Sequence, residues 1–148
     1  SVDFLEYEDN EQLYRRGFCY TKIIEDNLCC IMGPNHELAD REAIHPEDLC
    51  GYQIFCWTSK SSATRALYEY ADKLGWNLKG LPYSVGTILN VCNEGNIYIL
   101  SHNSAAMFQP LRVIPIEPRI PYYRGLVYKP EKEGVLQEML HAAKPKQF

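Results

Sequence analysis

Long apolar runs, clustered basic residues and metal-binding spacings are all missing from this chain. No stretch approaches the roughly 20 apolar residues needed to cross a bilayer, and the acidic start Ser1-Val2-Asp3 does not read as a signal peptide. Nothing in the sequence therefore directs it to a membrane. The 15 Lys and Arg residues are outnumbered by 19 Asp and Glu and are dispersed, leaving a net charge of -4. Phosphate binding needs clustered cations, so a nucleic-acid surface is not expected on these residues, and any contact with DNA belongs elsewhere in a parent protein. No Cys-x-x-Cys pair offers a zinc or redox centre, and no His-x-x-x-His pair offers a metal. Neither metal nor cofactor is expected.

What is present is an ordinary globular composition, 46% apolar and 23% charged, in 148 residues. A chain of that length suits one domain that buries roughly 70% of the surface its unfolded form exposes. Six cysteines could suggest disulfides. Yet Cys29 and Cys30 are neighbours in one apolar run, and Cys56 and Cys92 sit among apolar residues, so reduced, buried thiols in a cytoplasmic protein are expected.

The apolar pattern predicts alternating strands and helices. Val2–Tyr7, Phe18–Ile24, Leu28–Met32, Tyr52–Cys56 and Ile97–Leu100 read as strands, with a polar helix or loop at Asp9–Arg16 and a single helical turn at Pro46–Leu49. Arg65–Leu74 has apolar residues at helical spacing, Ser61 or Ser62 as N-cap and Gly75 as its stop. A strand around Leu81–Val85 should follow, then a helix with Ile88, Leu89, Val91 and Cys92 buried. Ile97–Leu100 leads through Ser101–Ser104 into a short helical segment ending at Phe108. Leu111–Ile116 and Tyr122–Tyr128 read as strands, and prolines 115, 118 and 121 suit sheet edges better than a centre. Gly134–Ala143 should be an amphipathic helix with Val135, Leu136, Met139, Leu140 and Ala143 inward, and Lys144–Phe148 a frayed tail. Three times a strand empties into a Ser/Thr-rich turn and a helix, which is α/β organisation.

In open α/β sheets ligands settle outside the carboxyl ends of the strands, where helix N-termini present unpaired N–H groups to an anion. The three turns are thus candidates for one pocket holding a small anionic or polar molecule. Its candidate residues are Cys56, Trp57, Thr58, Ser59 and Ser61 in the first turn, Tyr83, Ser84, Val85, Gly86 and Thr87 in the second, and Ser101 and His102 in the third. The competing reading of each Ser or Thr is a helix cap, and of Trp57 a core residue. Of four histidines, His102 alone borders the candidate pocket.

One stretch carries a family likeness. An apolar strand ends at Gly33-Pro34-Asn35, His36-Glu37-Leu38-Ala39 follows, and then come Glu47-Asp48-Leu49, Gly51-Tyr52 and a second apolar strand. In order around it stand Val2-Asp3-Phe4, the Gly-containing turn Cys92–Asn96 before Ile97–Leu100, the strand Leu111–Ile116 and a closing strand and helix from Leu126. The ordered set resembles the effector-binding domain of LysR-type transcriptional regulators, with Glu37 where that family usually has proline. The resemblance implies a type 2 periplasmic-binding-protein-like α/β fold of two lobes with a mixed sheet. Residues 25–110 would form the second lobe, and 1–24 and 111–148 the remainder of an incomplete first lobe. It also implies an effector in the interlobe cleft at positions matching Cys56–Ser59 and near Ser84–Thr87, and a homo-oligomer, dimer or tetramer. DNA contact would come only through a helix-turn-helix module absent from this chain. No catalysis is implied. The alternatives are a solute-binding protein of the same fold and an enzyme on a related α/β scaffold.

Overall fold

A computed structural model describes residues 4–143; Val2 and Asp3 of the first expected strand, and the expected frayed tail, lie outside them. The chain builds a seven-stranded sheet in the order β1-β7-β2-β5-β3-β4, with β6 also paired to β2. Strands β1 (Leu5–Glu8), β2 (Cys19–Met32), β3 (Gln53–Cys56), β4 (Asn77–Gly80), β5 (Ile97–Ser101), β6 (Arg112–Pro115) and β7 (Pro121–Tyr128) alternate with α1 (Glu11–Arg15), α2 (Ser62–Leu74), α3 (Val85–Asn93), α4 (His102–Ala105) and α5 (Glu133–Ala143).

The organising element is β2. Phe18–Ile24 and Leu28–Met32 read as separate strands because Glu25-Asp26-Asn27 is polar, but Cys19–Met32 is one continuous strand. Its first part, to Asn27, pairs antiparallel with β7, while from Leu28 onward it pairs antiparallel with β5 and β6. The polar triplet marks this change of partner. There Asp26 Oδ2 accepts from the Asn103 N–H at 2.8 Å and Asn27 Oδ1 accepts from Arg119 Nε at 2.6 Å, so polarity serves the passage between halves and does not end the strand.

The half beyond Asn27 holds the main core. Leu28, Ile31, Met32, Ile44, Leu49, Ile54, Leu67, Ile88, Ile97 and Ile99 are fully buried in one cluster. β5 is buried along its whole length, as a strand with neighbours on both sides and helices on its faces must be. Ser61 caps α2, its Oγ accepting from Thr64 N at 3.3 Å, and Gly75 ends the helix in the left-handed region at φ 75°, where only glycine is free of a Cβ penalty.

Three expectations are corrected. The strand expected around Leu81–Val85 lies earlier, at Asn77–Gly80, because these residues pair in parallel register with β3; Pro82 has no N–H to extend the ladder, and Leu81–Ser84 form the loop into α3. β7 is central, between β1 and β2, and its Pro121 is tolerated as the first residue of the strand. In α5 only Leu136 is buried, while Val135 is 45% and Met139 48% exposed and Ala143 is exposed too. Among the described residues that face is only partly covered. With Leu5 56% exposed on β1 as well, the half built from β1, β7 and α5 lacks a complete core of its own.

Candidate functional site

The parallel pairing of β3 with both β4 and β5 brings three strand ends, Cys56, Gly80 and Ser101, to one edge of the sheet. Antiparallel β2 presents Leu28 beside Ser101 at that same edge. This is where β2 changes partners, so the half carrying β1 and β7 stands across from the three turns. Between them lies a cavity of about 350 Å³. The turns contribute Trp57, Tyr83, Ser101 and Ser104 to its walls, β5 adds Leu100, and the facing half contributes Tyr7 and Glu8 of β1 with Tyr122 and Arg124 of β7.

The far wall is one connected group. Glu8 is buried, its Oε2 accepting from Trp57 Nε1 at 3.1 Å, and Trp57 meets Tyr122 edge-on with ring centres 5.6 Å apart. The Tyr122 hydroxyl accepts from Arg124 Nη1 at 3.2 Å, and Tyr122 lines the same cavity as Glu8. Burial raises the Tyr122 pKa. Arg124 is also held from outside the cavity, its Nε donating to Glu6 Oε1 at 3.0 Å.

The turns sort their hydroxyls between caps and cavity. Ser61 and Ser84 are caps, and Ser84 Oγ accepts from Thr87 N at 3.1 Å and donates to Thr87 Oγ1 at 2.7 Å. Ser101 stands at the same position before α4 but makes no capping bond, and it lines the cavity. Two of the helix starts already hold carboxylates of the chain itself. Asp9 Oδ2 accepts from the Ser62 N–H at 3.1 Å at the start of α2, and Asp26 Oδ2 accepts from the Asn103 N–H at the start of α4. The positive helix ends that favour an anion are there matched internally.

Of the residues singled out in the sequence, Trp57, Tyr83 and Ser101 come together in the cavity. Ser59 and Ser61 line a different hollow, against α1, together with Arg15, Lys60 and Arg65. Cys56 is buried beneath the strand end, and Thr58 is exposed. Ser84, Val85, Gly86 and Thr87 cap or flank the start of α3 on the outside, and His102 is exposed away from the cavity. The residues missed are Tyr7, Glu8, Leu100, Tyr122 and Arg124. A weak signal existed for one of them: the alternation that puts Phe4 and Glu6 on one face continues to Glu8. Which face meets the turns is set by the pairing of Glu8 with Arg124 across β1 and β7, two strands more than a hundred residues apart in sequence.

The family model for the LysR substrate binding domain matches residues 8–141. The chain belongs to this LysR family. As a LysR substrate-binding domain it shares its fold with solved regulatory domains. The oxidised form of OxyR superposes with a TM-score of 0.72 at 18% identity, over 94% of this chain and 68% of that one. The regulatory domain of CcmR from Synechocystis, in complex with 2-PG, gives 0.66 at 14% identity over 96% of this chain and 74% of that one. The effector-binding domain of QuiR, in complex with shikimate, gives 0.66 at 16% identity over 86% of this chain and 62% of that one. No curated protein sequence matches the chain significantly. The periplasmic-binding-protein-like α/β architecture expected from the sequence is thus the fold observed. Among the described residues no helix is long and apolar enough to cross a membrane.

The thiols of this LysR domain are free, and four of the six cysteines, Cys29, Cys30, Cys56 and Cys92, are buried. Burial pushes the Cys29 thiol up to about 12, with Asp26 adding to it, and the Cys56 and Cys92 thiols up to about 11. Thiolate is the reactive form. Iodoacetamide on the folded chain at pH 8 is therefore expected to modify the exposed Cys50 first and Cys19 more slowly, with the other four reacting only after denaturation. Peptide mapping showing Cys56 or Cys92 alkylated as fast as Cys50 would contradict the packing described.

Proposed function

We propose that this chain is the effector-sensing part of a LysR-type transcriptional regulator, and that a small polar molecule binds in the cavity between the β1/β7 half and the three turns. The observation that carries this reading is the convergence of Trp57, Tyr83 and Ser101 on a shared hollow, with Ser101 not engaged as a cap. The lobes divide where β2 changes partners, so that residues 28–116 form the second lobe and the remainder belongs to the first. This differs by a few residues from the 25 and 110 limits read from the sequence, because β6 pairs with the later part of β2. An effector bridging the two lobes contacts both and so has different affinity for different lobe arrangements, which is the condition for shifting an equilibrium. The regulatory output is a repacking of copies in a homo-oligomer held on DNA by a module outside these residues, in the cytoplasm. No catalysis is required.

The test is a metabolite screen by thermal shift, on this chain and on Tyr83→Ala. Tyr83 is 47% exposed, so its truncation leaves the fold intact while removing one wall of the cavity. One compound class is expected to raise the melting temperature by about 2–4 °C. In Tyr83→Ala its affinity should fall roughly three- to tenfold, the worth of one aromatic contact of about 0.5–1.5 kcal/mol. A binder indifferent to Tyr83→Ala would place the site elsewhere, and a binder consumed during the assay would favour the enzyme reading.

A further inference from the structure

The cavity is unequally charged. Glu8 brings a carboxylate that is 9% exposed, and its side-chain hydrogen-bond partner, the Trp57 indole, is neutral. Arg124 lies opposite Glu8 in the β1/β7 ladder, yet its guanidinium is turned to Glu6 at 3.0 Å and to the Tyr122 hydroxyl. Among the described residues no cation forms an ion pair with Glu8. A buried carboxylate with no cation in direct ion-pair contact is a place where an arriving positive group gains most.

Aromatic rings form much of the surrounding wall, and Trp and Tyr faces attract cations, most strongly where water is excluded. Most of the features that would favour an anion are already engaged within the chain, and the start of α3 is capped by the Ser84 hydroxyl. Asp9 sits on the start of α2, Asp26 sits on the start of α4, and Glu6 holds the cavity's one guanidinium. Resting on the reading of this cavity as the effector site, we propose that the effector carries an ammonium or other cationic nitrogen, received by Glu8 and enclosed by the rings of Trp57, Tyr83 and Tyr122. Ser101 and Ser104, on the opposite side, receive its polar remainder. This narrows the anionic or polar effector expected from the sequence to a polar one that carries a cationic nitrogen.

The test uses three probes that differ in one group: phenethylamine, 2-phenylethanol and phenylacetate. The two tryptophan indole N–H signals in a nitrogen-proton correlation spectrum supply the readout, because Trp57 donates to Glu8 while Trp76 donates to the Pro46 carbonyl, away from the cavity. Phenethylamine is expected to move the Trp57 signal saturably and leave that of Trp76 in place, with at least tenfold weaker binding for the alcohol and no saturable effect of phenylacetate. In Glu8→Gln, which keeps an acceptor for the indole, the preference for the amine over the alcohol should disappear. Saturable movement of Trp57 by phenylacetate but not by the amine overturns the cationic effector and leaves the cavity as the site. Equal responses to amine and alcohol, unchanged in Glu8→Gln, also overturn it. If no probe moves Trp57 the cationic proposal fails, and the metabolite screen with Tyr83→Ala then decides the cavity reading independently.

Discussion

Gly125→Ala is expected to destabilise the chain by about 3 kcal/mol or more, which in a domain of this size lowers the melting temperature by roughly 6–12 °C. A Cβ built on Gly125 lies 2.0 Å from the Thr21 carbonyl oxygen, 2.8 Å from its carbonyl carbon and 3.0 Å from Lys22 Cα. All of these are backbone atoms of β2, so no side-chain rotation relieves the overlap. Nor can the ladder slide, because Gly125 pairs with Lys22 immediately before the register shifts between Lys22 and Ile24. The close approach lets β7 follow β2 through that irregularity, as glycines inside strands commonly do. Gly86→Ala is the control. Nothing lies within 4 Å of a Cβ there, and in the first turn of α3 alanine should be neutral or stabilising by up to about 1 kcal/mol. Thermal melts followed by circular dichroism compare the two, and a Gly125→Ala protein melting within 2 °C of the parent would show that the strands are not so closely apposed.

Trp57→Ala should have a comparable effect by a different route. Trp57 is 9% exposed and donates to the carboxylate of Glu8 across the gap between the two halves. Truncation removes a large buried side chain, at a cost of about 3–5 kcal/mol, and leaves Glu8 without its indole donor. Trp57→Phe separates the two contributions. It keeps most of the ring against Tyr122 and loses the N–H, so a smaller loss of about 1–3 kcal/mol is expected. Urea denaturation at constant slope gives these differences, with the order parent, Phe, Ala in falling stability. A Trp57→Ala protein as stable as Trp57→Phe would mean that the ring is not packed across the gap. Both variants should also lose effector binding, since the same residue joins the halves and forms a cavity wall.

How much of this was legible in the sequence depends on the range of the interactions. The α2 helix is announced by local signals, since Ser61 caps it, Gly75 stops it and its apolar residues recur at helical spacing, all within one short stretch. The same holds for α3 behind Ser84 and for the apolar strand β5. Local signals failed where a neighbour far away in sequence decides. Asn77–Gly80 is a strand because β3 accepts it as a parallel partner, and its own residues are half polar. Glu25-Asp26-Asn27 stays extended because Arg119 and the start of α4 hold its side chains. Val135 and Met139 have helical spacing but are only about half covered among the described residues.

The cavity divides along the same line. By itself the sequence determined the α/β class, the three turns that end in helices, the lack of metal-binding spacings and the family likeness, because each is a matter of residue type at short spacing. Which hydroxyl caps a helix and which faces the hollow was decided only by the tertiary structure, as Ser84 and Ser101 occupy equivalent positions in the chain but differ in what surrounds them. The charge of the site was decided in the same way. Glu8, Arg124 and Glu6 are ordinary surface letters in a sequence, and only the antiparallel pairing of β1 with β7 directs the guanidinium to one acid and leaves the other facing the cavity. The physical reason is that strand pairing joins residues without regard to their distance along the chain, and a counter-charge is a matter of ångströms.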